Sequence, residues 1–157
     1  MNVLFLCVGN SARSILAEAL LNARAAGRLR AYSAGSQPQG AINPLTLEVL
    51  RTCEIDATGL RSKSWDVFAT DTAPHMDVVI TVCDPAATEA CPLWPGAPVK
   101  VHWGLPDPAA VQGSEAERLA AFVRTFTELE RRIELMLGLP LEHLSADELA
   151  GQLQTLA

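Results

Sequence analysis

The sequence predicts an α/β domain: a four-stranded parallel sheet flanked by helices on both faces. Three observations carry that expectation. Short apolar runs bounded by turn residues alternate along the chain with stretches of helical periodicity. The segment from Asp77 to Val82 is a nearly unbroken β-branched run, the pattern of a strand buried on both faces. The chain has 157 residues, enough for one domain with a proper core, and shows neither an internal repeat nor a low-complexity tract.

Taken in order, Asn2 to Leu6 reads as the first strand. Ser14 to about Ala25 reads as a helix, with Ile15, Leu16, Ala19, Leu20 and Ala23 at helical spacing. Leu29 to Ser33 gives a short second strand. Asn43-Pro44 opens another helix, with Asn43 as N-cap and proline in the first turn; this helix carries Leu47, Val49 and Leu50 and ends near Cys53, a packing residue. After the Asp77–Val82 strand comes a fourth at Val99 to His102. Glu115 to Leu137 forms a long amphipathic helix with Leu119, Phe122, Val123, Phe126, Leu129, Ile133 and Met136 along one side. Ser145-Ala146-Asp147-Glu148 fits a capping box that opens a last short helix.

Charge narrows the function. Twelve Lys plus Arg stand against 18 Asp plus Glu, a formal charge of -6. Such a balance argues against a nucleic-acid or membrane-surface partner, because anionic surfaces reward a basic face. A small anion remains compatible, since one local cationic site can oppose the global sign. No apolar run reaches the length of a membrane span. Val3-Leu4-Phe5-Leu6 has no basic n-region and reads as a buried strand rather than a secretion signal. A cytoplasmic, reducing location is therefore expected, where Cys7, Cys53, Cys83 and Cys91 have catalytic or redox roles more often than structural ones.

The segment with most chemical content is Cys7-Val8-Gly9-Asn10-Ser11-Ala12-Arg13-Ser14, lying between a strand and a helix. A cysteine, five residues and an arginine on such a turn suit a tetrahedral oxyanion. Backbone N–H groups of Val8 to Ser14 can converge on it, the helix N-terminus adds its dipole, and Arg13 offers a planar two-pronged donor. The same surroundings favour a thiolate at Cys7, with Ser14 as a further donor. Downstream, Asp107 stands between Pro106 and Pro108 after the fourth strand, where it reads either as a turn-forming Asp-Pro or as a carboxyl that protonates an oxygen expelled by thiolate attack.

Phe5-Leu6-Cys7-Val8-Gly9-Asn10-Ser11-Ala12-Arg13-Ser14 followed by Ala17-Glu18 resembles the signature of the low-molecular-weight protein tyrosine phosphatase superfamily, and more narrowly its arsenate reductase branch. Tyr32-Ser33-Ala34-Gly35, Val82-Cys83-Asp84 and His102-Trp103-Gly104 also sit where that branch places them. The resemblance covers the chain to about Leu137, giving a domain over 1–140 and a C-terminal helical extension over 141–157. It implies a flavodoxin-like sheet, Asp107 as general acid, and reduction of arsenate to arsenite in the service of arsenic detoxification. It also implies a relay: Cys7 attacks arsenate, Cys83 attacks Cys7, and Cys91 attacks Cys83, leaving a Cys83–Cys91 disulfide for an external reductant. Thioredoxin is preferred to glutathione with glutaredoxin, and a monomer is expected.

Three departures accompany the resemblance. Ala12 stands where some reductases of the branch have another cysteine. Seven residues separate Cys83 from Cys91, one more than the best-known pattern. Asn10, Glu18, Ser33 and Asp66 match polar positions that support the loop in some relatives, with a bound potassium ion in certain cases. A phosphotyrosine phosphatase using Cys7, Arg13 and Asp107 alone is the alternative; Tyr32 is the chain's one tyrosine, which leaves the acid loop without an aromatic grip. No metal site is expected, since there is no C-x₂-C pair and His75, His102 and His143 lack ligand spacing. His102 is assigned to ordering the acid loop or to an exposed surface.

Overall fold

The computed structural model describes residues 1–84, 86 and 94–157. Its centre is a four-stranded sheet in the order β2-β1-β3-β4: β1 (Asn2–Cys7), β2 (Arg30–Gly35), β3 (Val78–Thr81) and β4 (Val99–His102). Every pairing is parallel, with Cys7 opposite Gly35, Leu6 opposite Thr81, and Thr81 opposite His102. The strand pattern explains the layers. Val3, Phe5 and Cys7 point to the main apolar cluster, whereas Leu4 and Leu6 point to a second cluster with Ala34, Val79, Phe68, Met76 and Trp94.

Helix α1 (Arg13–Arg24) buries Ile15, Leu16, Ala19, Leu20 and Leu21. Helix α2 (Pro44–Thr52) starts on Asn43, whose Oδ1 accepts from the Leu45 N–H at 2.9 Å, so the asparagine-proline start behaves as the sequence predicts. Helix α3 (Glu115–Leu137) opens with a full capping box between Ser114 and Glu117. At its other end Arg28 reaches across to the Leu137 and Leu139 carbonyls and pairs with Glu142 Oε1 at 2.6 Å. A cation on those last carbonyls satisfies groups the helix leaves unpaired. Helix α4 (Ala146–Gln154) is capped by Ser145 and Glu148 and delivers Leu149 and Leu153 to the main cluster.

Some sequence expectations shift. β2 runs two residues beyond Ser33, because Ala34 and Gly35 continue the pairing with Leu6 and Cys7 of β1; on its other side the Gly35 N–H finds the Lys63 carbonyl at 2.9 Å. Val123 is 45% exposed, not part of the α3 stripe: it sits one position past Phe122, about 100° around the helix from the buried line. Leu47 on α2 is likewise exposed, and so is Cys53, which lies past the buried turn as the C-cap of α2 and does not pack.

α4 reaches the outer side of β4 in an unusual way. The Gln154 side-chain amide accepts from the His102 N–H at 3.0 Å and donates to the His102 carbonyl at 2.7 Å. The Trp103 indole N–H donates to the Leu153 carbonyl at 2.8 Å.

Candidate active site

The loop from Val8 to Ala12 joins the carboxyl end of β1 to α1, and its backbone is fixed from outside. The Cys7, Val8 and Gly9 carbonyls accept from the Ser36, Gln37 and Gln39 N–H groups at 3.3, 3.0 and 3.0 Å. The Ser11 carbonyl accepts from the Asn43 N–H and the Thr46 hydroxyl, and Ala12 from the Leu16 N–H. In a planar peptide the N–H points opposite to the carbonyl it follows. Turning the Cys7, Val8, Gly9 and Ser11 carbonyls toward 36–46 therefore turns the N–H groups of Val8, Gly9, Asn10 and Ala12 to the other side, facing a cleft, while the Ala12 carbonyl is committed to the first turn of α1. Asn10 adopts φ 46°, a left-handed conformation that asparagine tolerates better than most residues. Gly35 lies so close beneath that a Cβ there would overlap the Val8 carbonyl oxygen.

Cys7 is buried at the floor of this cleft. Its Sγ accepts from the Asn10 N–H at 3.1 Å and lies 2.9 Å from the Ser14 hydroxyl. The cleft, about 390 Å³, is lined by residues Cys7 to Arg13 together with Gln37, Gln39, Asp107 and Ala109. Arg13 is anchored by Nη1 donating to the Leu105 carbonyl at 2.9 Å, and its Nη2 stands 3.8 Å from Asp107 Oδ2. Asp107 caps a 3₁₀ turn at Pro108–Ala110 by accepting from the Ala109 N–H at 3.0 Å. Thiol, guanidinium and carboxyl thus share one opening at the carboxyl edge of the sheet, where open α/β sheets bind ligands.

Cys83 is fully buried just past β3. Burial pushes its thiol up from the ordinary cysteine value; the N–H of Ala86 opposes this, the neighbouring Cys7 adds to it, and Arg13 and the N–H of Val8 pull it back. Cys83 follows closely on the end of β3, which runs beside β1 with Leu6 opposite Thr81, so it lies at the same sheet edge as Cys7. Cys91 lies outside the described residues. His102 does not tie down the acid loop: Nδ1 bonds Thr81 Oγ1 at 2.7 Å and Nε2 bonds Asp84 Oδ1 at 2.9 Å, next to Cys83.

Behind the loop, Asn10, Ser14, Ser33 and Glu18 form one connected network. Asn10 Nδ2 donates to Ser14 Oγ at 2.8 Å and to Ser33 Oγ at 3.0 Å, and the Ser33 hydroxyl donates to Glu18 Oε1 at 2.5 Å. Asp66 is not part of it; its N–H caps onto Ser64 Oγ in the 3₁₀ turn Trp65–Phe68. In its place stands Lys63, whose N–H donates to Asn10 Oδ1 at 2.9 Å and whose ammonium lies 3.6 Å from Glu18 Oε1. This donor set does not fit a potassium ion, since an ammonium already faces Glu18 and a backbone N–H takes the Asn10 oxygen. Among the described residues no group of three or more His, Cys, Asp or Glu side chains is arranged to hold a metal. Gln37, Gln39 and Lys63 are the site residues that sequence reasoning does not find. Each is brought in by tertiary folding from a polar stretch without periodicity.

The comparisons agree with this architecture. The profile of the low molecular weight phosphotyrosine protein phosphatase family matches residues 2–150. An arsenate reductase of Bacillus licheniformis is 36% identical over 132 residues, covering 84% of this chain and 91% of the relative. The crystal structure of an arsenate reductase from Archaeoglobus fulgidus superposes with a TM-score of 0.68 at 27% identity, over 87% of this chain and 99% of that one. A thioredoxin-dependent arsenate reductase of Corynebacterium glutamicum superposes with a TM-score of 0.56 at 29% identity, over 85% of this chain and 62% of that one.

Proposed function

The chain belongs to the low molecular weight phosphotyrosine protein phosphatase family, and from that premise we propose that it reduces arsenate to arsenite through a Cys7–Cys83–Cys91 thiol relay recharged by thioredoxin. The observation that carries this beyond a phosphatase is the second buried thiol, Cys83, just past the end of the strand that pairs with β1 and its Cys7. A phosphatase needs one thiol, because water resolves its cysteinyl-phosphate; a two-electron reduction needs a second. The relatives named as arsenate reductases, at 36% identity and below, support the same choice.

In this reading arsenate sits in the cleft with its oxygens on the loop N–H groups of Val8 to Ser14 and on the Arg13 fork. Cys7 Sγ attacks arsenic, and one oxygen departs as water with its last proton from Asp107. The Cys83 thiolate then attacks Cys7 Sγ. The sulfur–arsenic bond breaks, its electron pair stays on arsenic, and arsenite leaves a Cys7–Cys83 disulfide. Cys91 next attacks Cys83, which frees Cys7 and leaves a Cys83–Cys91 disulfide for the dithiol of thioredoxin. Burial holds Cys83 protonated at rest, and the N–H groups of Ala86 and Val8 together with Arg13 favour its thiolate when its turn comes. All three thiols reside in one chain, so a monomer suffices, and the chemistry suits the reducing cytoplasm.

The test couples arsenate-dependent NADPH oxidation to thioredoxin and thioredoxin reductase, with aryl-phosphate hydrolysis measured alongside. Cys91→Ser is expected to abolish multiple-turnover arsenate reduction and to spare any hydrolysis. Undiminished reduction by Cys91→Ser would overturn the relay. Replacing thioredoxin by glutathione and glutaredoxin is expected to support slower turnover; a faster rate reverses the assignment of the donor.

A further inference from the structure

We propose that Lys63 is a positioning residue for the Cys7 nucleophile: its ammonium holds Glu18 behind the loop, and its backbone N–H orients the Asn10 amide that leads through Ser14 to the sulfur. Lys63 acts at two points. Its backbone N–H donates to Asn10 Oδ1, which fixes the orientation of that amide and aims Nδ2 at the two serines. Its ammonium, with side-chain exposure of only 9%, lies 3.6 Å from Glu18 Oε1 and also donates to the Arg61 carbonyl at 3.0 Å.

The direction of the network follows from donor and acceptor counting. The Glu18 carboxylate can only accept, so the Ser33 proton is committed to it. Ser33 Oγ therefore accepts from Asn10 Nδ2. The second proton of that amide goes to Ser14 Oγ. With its oxygen already serving as acceptor, the Ser14 hydroxyl has its own proton left for Cys7 Sγ, 2.9 Å away. Two arms therefore leave the Asn10 amide: one ends on Glu18 through Ser33, and the other runs in a single direction from the Lys63 N–H through the Asn10 amide and the Ser14 hydroxyl to the sulfur, where bonds aligned head to tail strengthen one another. A charge buried opposite Glu18 is costly unless paired, so an ammonium kept there has a partner-dependent role. Burial pushes the Lys63 ammonium down from the usual lysine range, and Glu18 opposes that push.

This inference rests on Cys7 being the nucleophile and not on arsenate being the substrate, so either reading can fail alone. The readout is the rate at which iodoacetamide alkylates Cys7 at neutral pH, followed by peptide mass spectrometry on protein shown to be folded. Lys63→Met is expected to slow Cys7 alkylation about tenfold, the size typical of losing a supporting partner around a reactive centre. Lys63→Arg keeps the charge and should fall closer to wild type than to Lys63→Met. The neutral pair Lys63→Met/Glu18→Gln retains an acceptor for Ser33 without a buried charge, and is expected to recover most of the lost rate. Wild-type alkylation should be equal in potassium chloride and choline chloride at matched ionic strength. A folded Lys63→Met with wild-type alkylation overturns the proposal, as does a wild-type rate that climbs with potassium. If Lys63→Met does not fold, the neutral pair decides: slow alkylation in that folded variant also overturns it.

Discussion

Gly35 shows how much a single position constrains the site. It pairs with Cys7 across β1 and β2, and the space a methyl group would need is occupied by the Val8 carbonyl oxygen. That oxygen cannot retreat without losing the Gln37 N–H. Gly35→Ala is therefore expected to cost about 1–3 kcal/mol of stability, the range for overpacking. It should also disorder the N–H array around Cys7; urea unfolding and phosphate affinity by calorimetry measure the two effects, and unchanged affinity would refute the second. Residues of this sort divide the legible from the illegible. Cys7, Arg13 and Ser14 could be read from spacing because one short strand-to-helix turn holds them all, and that turn's geometry is local. The place of Asp107 at the same opening could be read from its position after the fourth strand, whereas its role as an acid came from the family resemblance. Lys63, Gln37 and Gln39 could not, because their roles come from contacts with Glu18, Val8 and Gly9 that no local pattern encodes.

The same contrast recurs among the elements. Strand and helix positions followed from apolar periodicity and cap residues, since those preferences are decided within a few neighbours. Where each element ends, and which flank is buried, depended on partners: β2 is prolonged by its pairing with Leu6 and Cys7 of β1, and Val123 falls outside the α3 stripe. α3 also carries a charge arrangement with a pH signature. Glu128 accepts from Arg131 Nη2 and Arg132 Nε, both at 2.8 Å, and Arg131 above all holds its carboxyl down at about 2. A carboxyl lowered on folding stabilises the folded state above its ordinary value of 4.5, and that contribution fades as pH falls from there toward about 2. Arg132 is buried with Nη1 unpaired, so Glu128 is its main compensation. Thermal melts should place Glu128→Gln below wild type at neutral pH, with the gap closing as the pH approaches 2. A gap independent of pH would assign the loss to packing.

Across the whole molecule, the segment beyond Pro140 is integral to the core. Leu141, Leu149 and Leu153 are all buried in the main cluster, and Arg28 binds that segment to the end of α3 through Glu142. Leu153→Ala is expected to cost about 2–5 kcal/mol in chemical denaturation, the usual range for a buried leucine. The Gln154 amide has a separate consequence. A primary amide offers the same donor–acceptor pair as a peptide bond, so by taking both the N–H and the carbonyl of His102 it imitates one residue of a fifth strand. β4 is the outermost strand on that side, and an unguarded outer strand is a template on which another chain can add. Gln154 thus closes the outward N–H and carbonyl of His102 to any strand that would add there, at the same carboxyl edge of the sheet that carries Cys7.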